Sequence, residues 1–171
     1  MTGVEKRFLA HTASHLREDH LPKILEAVGL LSDEEVWERP GATSNSVGNL
    51  LLHLAGNVRQ HIISGSGGQP DLRDRPAEFA ATGGTSKAGL LDNLVKTVAE
   101  ACGVLEALDP RVLLEKRLIQ GKEVVLLDDI LHVVEHFAYH TGQIISFVKW
   151  RKDHRFPWYR HLDRRDETRT S

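Results

Sequence analysis

The chain reads as an all-α protein, a four-helix bundle with a small β-hairpin before the last helix. Three observations predict this. Apolar residues recur at helical spacing in four long stretches. Glycine, proline and serine punctuate those stretches at their ends. One short segment, on either side of Gln120-Gly121, breaks the helical period just ahead of the fourth stretch.

The first helix spans residues 4–31, where Leu9, Ala13, Leu16, Ile24, Ala27, Val28 and Leu31 share a face. Pro22 lies inside it and is expected to kink or split it. Residues 32–45 hold Pro40, Gly41 and polar side chains and read as a loop, with Trp37 as a core residue at its corner. The second helix starts near Ser44–Ser46, whose hydroxyls suit an N-cap, and carries Val47, Leu50, Leu51, Leu54, Val58 and Ile62. It stops at the glycine-rich run 65–68. Residues 69–84 read as a long charged loop, of the kind that is often functional in a small domain.

Ser86 caps a third helix running to about Leu108, with Leu90, Leu94, Val98, Cys102 and Leu105 inward. Asp109-Pro110 ends it. Segments 113–119 and 123–127 form the hairpin around Gln120-Gly121. Asp128 or a neighbour caps the fourth helix, which reaches about Lys152 and buries Ile130, Val133, Phe137, Ile144 and Val148. The whole of 1–171 is taken as one domain, with a basic tail from about 153. Trp158 and Tyr159 look like anchors onto the same domain or a partner subunit.

Composition narrows the function. Hydrophobic residues make up 40%, charged residues 27%, and the net charge is −2. That balance argues against a nucleic-acid partner. No apolar run reaches the roughly 18 residues a membrane span needs, and the first ten residues lack a signal-peptide core. The single cysteine, Cys102, fits a reducing cytoplasm and reads as a buried structural residue.

What stands out is ten histidines. His132, His136 and His140 are spaced by four on the last helix, so they share one face. All three cannot reach one ion, because the outer two are about 12 Å apart along the axis. His132-Val133-Val134-Glu135-His136 matches the HxxEH pattern of inverted zincins, with Glu135 as base, but no further carboxylate pattern accompanies it. The pair His136 and His140 runs on into Gln143 on the same face. His53 interrupts an apolar run of the second helix and so faces inward, a third candidate ligand. Three imidazoles with open positions is a catalytic coordination pattern. His11, His15, His61, His154 and His161 read as surface residues.

The ordered set Asn45-Ser46, His53-Leu54-Ala55-Gly56-Asn57 and His136-x3-His140-Thr141-Gly142-Gln143 resembles the DinB-like metal-binding four-helix bundles. The loop from Asp71 to Phe79 and the hairpin resemble a subgroup with a domain of unknown function. The resemblance covers residues 5 to 152. It implies a divalent metal, zinc or nickel, on His53, His136 and His140. It also implies a thiol-dependent S-transferase or isomerase using a low-molecular-weight thiol such as bacillithiol, mycothiol or glutathione, a small-molecule substrate and a homodimer.

In that reading the metal ionises a thiol, which attacks an electrophilic carbon. Arg73 and Arg75 either bind a cosubstrate carboxylate or pair with Asp71, Asp74 or Glu78 and pin the loop. Asn57 and Gln143 either support the imidazoles or are satisfied by backbone. The alternatives are a metal-dependent hydrolase and a non-enzymatic metal-binding bundle.

Overall fold

The computed structural model describes residues 3–159. Its elements follow one another as α1 (Gly3–Ser14), a π-helical stretch (His15–His20), α2 (Leu21–Gly29), α3 (Asp33–Trp37) and α4 (Val47–Val58). A second π-helical stretch (Arg59–Ser66), α5 (Arg75–Ala80) and α6 (Lys87–Ala107) come next. A 3-10 turn (Pro110–Leu114), β1 (Lys116–Ile119), β2 (Lys122–Val125) and α7 (Leu126–Lys152) complete the chain. The four long rods are α1–α2, α4 with its π extension, α6 and α7. They form the expected all-α bundle, with α4 packed on both α6 and α7, α1 on α6, and α2 on α7. Leu16, Ile24, Leu54, Ile62, Leu94, Leu105 and Phe137 are fully buried between them.

Pro22 does not split the first rod. Its missing N–H and its ring disrupt the ladder one turn earlier, and the helix answers by widening. Leu21 N–H bonds to the Leu16 carbonyl, five residues back, while Ser14, His20 and Leu21 all stay in the right-handed helical region.

The segment expected as a loop at 32–45 contains α3, started by a capping box in which Ser32 and Glu35 satisfy each other's backbone N–H groups. Trp37 packs against Gly48 of α4 and donates its indole N–H to the Thr85 carbonyl. The long loop before α6 likewise contains a short helix, α5, capped by Asp74. Ser46 and Ser86 cap α4 and α6 as their positions predict.

The hairpin is shorter than expected. Residues 110–114 form the 3-10 turn, and Leu126 and Leu127 already belong to α7. Ile119 pairs with Lys122, so Gln120 and Gly121 form a two-residue loop with φ 53° and 72°. No side chain caps α7, whose first turn instead carries Asp128 and Asp129 next to its positive pole.

After α7, residues 153–159 fold back on α2. Trp158 donates to Glu26 at 2.6 Å and Lys23 donates to the Tyr159 hydroxyl at 3.4 Å. The two aromatics therefore anchor onto this domain itself. The rest of the basic tail, with His161, lies outside the described residues. No described helix is long and apolar enough to cross a membrane.

Candidate metal centre

His53 lies in the middle of α4, a largely apolar and largely buried helix. His136 and His140 lie one turn apart on the facing side of α7. The packing of α4 on α7 brings the three rings together. His136 Nε2 is 3.0 Å from His53 Nε2 and 3.1 Å from His140 Nε2. The three form a group able to hold a metal ion.

The outer nitrogens decide which inner ones carry lone pairs. His53 Nδ1 is 2.8 Å from Glu78 Oε2, and Glu78 is also held by Arg73 through Nε at 2.6 Å and Nη2 at 2.9 Å. A carboxylate can only accept, so Nδ1 carries the proton and Nε2 is bare. Arg73 Nη2, 3.0 Å from the same Nδ1, therefore donates instead to Glu78 and to the His53 carbonyl. The same logic applies to His140, whose Nδ1 donates to Gln143 Oε1 at 2.7 Å. Two bare nitrogens thus face His136 Nε2 at about 3 Å, and one N–H there can satisfy only one of them. His136 Nδ1 is buried without a partner. A cation among the three nitrogens resolves this conflict. Bonds of about 2.0–2.1 Å to zinc place tetrahedral nitrogens roughly 3.3 Å apart, close to the spacing seen.

Burial, and the neighbouring imidazoles His140 and His53, push His136 down to about 3. Burial likewise lowers His140, despite the bond it donates to Gln143, which favours its charged form. Both are neutral at physiological pH, the form that ligates. Burial raises the Glu78 carboxyl, but Arg73 and His53 outweigh it and hold the group below its usual range.

Glu78 reaches His53 because α5 is pinned to α4. Buried Asn49 donates to the carbonyls of Glu78 and Ala81 at 2.9 and 2.7 Å while accepting from Ser46. Gly56 leaves the room that Glu78 and Arg73 need, since a Cβ there would collide with the Glu78 carboxylate.

Of the two open readings of Arg73, the structure shows the loop-pinning one. Its side chain is 3% exposed and bound to Glu78 and Gln60. Arg75 is exposed and stacks on Phe79, whose ring lies 4.6 Å from His53. Asn57 is buried one turn beyond His53, with its Oδ1 unpartnered. His132 and Glu135 are exposed and do not join the group, so the HxxEH alignment is not assembled. Cys102 is buried, its thiol pushed up by that burial, and donates to the Ala13 carbonyl.

His61 corrects the sequence reading. It is buried, not exposed, and its Nδ1 lies 2.8 Å from Asp129 Oδ1. His61 Nε2 is covered by the Gln120 amide at 3.3 Å, and Gln120 also bonds Gln60. Its spacing from His53, eight residues, was the available signal: two turns on, it returns to the α7-facing side. His154 is half-buried against Phe156.

A four-helix bundle with three imidazole nitrogens converging between its second and last rods is a histidine-lined bundle of the DinB-like fold. Its structural relatives include a DinB-like protein, YjoA, from Bacillus subtilis, with a TM-score of 0.67, 19% identity and coverage of 87% of this chain and 96% of that one. A DinB-like protein from Bacillus cereus ATCC 10987 has a TM-score of 0.62 and 15% identity, covering 77% and 85%. Within this fold the chain belongs to the family described as protein of unknown function, DUF1572, whose model matches residues 4–160. No curated protein matches it.

Proposed function

We propose that the chain is an enzyme using a divalent metal, zinc or nickel, on His53, His136 and His140 to activate a low-molecular-weight thiol for S-transfer or isomerisation. The observation that carries the reading is the convergence of three Nε2 atoms, two of them made bare by Glu78 and Gln143. Among the described residues no fourth His, Cys, Asp or Glu joins the group, which favours a centre with open positions over a closed structural one. An ion held there lowers the pKa of a coordinated thiol from about 8.5, so that the thiolate is available at neutral pH.

The chain's own part is to hold and orient. Glu78, kept ionised by Arg73, fixes the tautomer and direction of the His53 ring. Gln143 does the same for His140, and it also lines a cleft of about 510 Å³ with Asn45, Leu50, Phe147 and Trp150. That cleft has no charged side chain and suits a small neutral or amphipathic substrate. Arg75, stacked on Phe79, offers a cation to a carboxylate beside His53. The hydrolase reading is weaker, because Glu135 stays outside the group and Glu78 is engaged on the Nδ1 side of His53. Exposed Tyr139 and Trp150 on α7 support pairing with a second copy of the chain.

The first test is metal content of untagged protein by mass spectrometry, wild type against His53→Ala and His136→Ala. About one ion lost in both variants supports the centre. Glutathione, bacillithiol and mycothiol are then offered with a chloro-aromatic electrophile and thioether formation is followed. Metal without turnover leaves the non-enzymatic bundle, and no metal at all removes the catalytic reading.

A further inference from the structure

A second group of ligand-type side chains lies on the first rod, outside the three-histidine centre. His15, Asp19 and His20 offer ligand atoms that all lie within 4.8 Å of one another. In an α-helix, residues 15 and 20 would point about 140° apart. The π-helical stretch that accommodates Pro22 has a wider turn, and this brings positions i, i+4 and i+5 onto one side.

The spacing within the group is informative. Asp19 Oδ2 is 3.8 Å from His15 Nδ1 and 4.0 Å from His20 Nδ1. Both are too long for hydrogen bonds. Both are somewhat longer than the roughly 3.3–3.6 Å between tetrahedral ligands held at about 2.0–2.2 Å from zinc, so the carboxylate and the two rings draw in by a few tenths of an ångström around an ion. The other oxygen, Asp19 Oδ1, is taken by Lys23 at 2.5 Å. That bond fixes the carboxylate and leaves Oδ2 facing the imidazoles, although the ammonium charge weakens cation binding. His20 is half-buried, its ring 6.1 Å from that of Phe137, and His15 packs edge-on against His11 at 4.2 Å. The Lys23 bond holds the Asp19 carboxyl low, and burial holds His20 low, so both are in their ligating forms at neutral pH.

We propose that His15, Asp19 and His20 form a second divalent transition-metal site, separate from the His53 centre and weaker than it. Two imidazoles and one carboxylate suit zinc and its neighbours and leave coordination positions to water. Because the ligands lie within the π-helical stretch, two of them at its ends, the bound ion ties that stretch together and stabilises the first rod.

The test is a zinc titration of the metal-stripped, untagged full chain, with bound zinc counted by mass spectrometry. Wild type is expected to take two ions per chain. His15→Ala and Asp19→Asn each take one and keep the tighter; both leave the half-buried His20 in place, and circular dichroism checks their folding. His53→Ala takes one and keeps the weaker, and zinc raises its Tm. Combining Asp19→Asn with His53→Ala abolishes both the ion and the Tm shift. A single ion in wild type that is lost in His53→Ala overturns this proposal and leaves the His53 centre standing. Two ions in both His15→Ala and Asp19→Asn also overturn it. A single ion lost in Asp19→Asn but kept in His53→Ala supports it while sinking the function proposed above.

Discussion

Two imidazole–carboxylate pairs sit eight residues apart along the second rod, and they end differently. His53 meets Glu78 at 2.8 Å and His61 meets Asp129 at 2.8 Å, and all four side chains are at least nine-tenths buried. In each pair the carboxylate accepts a hydrogen bond from Nδ1–H and leaves Nε2 bare. What Nε2 then meets sets the difference. His53 faces two further imidazoles from α7. His61 faces the amide of Gln120, delivered by the hairpin turn. The same dyad becomes part of a metal-type centre in one place and a closed strut between helices in the other. An isolated His–carboxylate pair therefore says little about function until its second nitrogen is followed.

The sharpest way to break this comparison is to remove each carboxylate. Asp129→Ala leaves the buried Nδ1–H of His61 without an acceptor, and is expected to cost about 1–3 kcal/mol of stability. Denaturant unfolding measures this, while metal content stays at the wild-type level. Glu78→Gln is expected to do the reverse, losing 10–100-fold in metal affinity, the usual effect of removing a ligand's orienting partner, with a smaller change in unfolding midpoint. Equal effects of the two changes on metal affinity would erase the distinction.

Gly56→Ala should act like a weaker Glu78 variant. The new methyl group collides first with the Glu78 carboxylate and the Arg73 fork. Competition with a metal indicator should show a loss of affinity, and rescue by Gly56→Ser is not expected.

The pH dependence follows from the depressed imidazoles. His136 sits at about 3 when folded and near 6.5 when unfolded, so the unfolded chain binds more protons between those values. The metal-free protein should lose stability as pH falls from about 6.5 toward 3. His136→Ala should flatten that slope, and unchanged slopes would contradict the burial of a neutral ring. Glu78 adds to the loss below about 4.5, since its folded pKa is also depressed.

The smallest effect is expected at Gln120. Its replacement by Ala removes a cover from His61 Nε2 and a bond to Gln60, each worth about 0.5–1.5 kcal/mol. A fall in thermal midpoint with unchanged metal affinity is the expected result.

Much of this was legible without coordinates. The four rods, the serine caps of the second and third, and the Gln120-Gly121 turn follow from apolar period and turn chemistry, which act over a few residues. The pairing of His136 with His140, and the inward direction of His53, follow from the same helical arithmetic. Other features were not legible because they depend on elements far apart in the chain. α5 looks like loop from its residues alone, and is held in place by Asn49 from 29 residues away. Arg73 had two equal readings until Glu78 was seen beside it. His61 looked exposed because it lies near the end of the second helix, and only its pairing with Asp129 of α7 explains its burial.

The sequence by itself thus determined the helices, the hairpin turn and which histidines share a face, because these are set by short-range backbone and side-chain preferences. Only the tertiary structure decided which imidazoles meet one another and which meet an amide, because that depends on the register of α4 against α7, and helix packing fixes that register through contacts between residues some eighty positions apart.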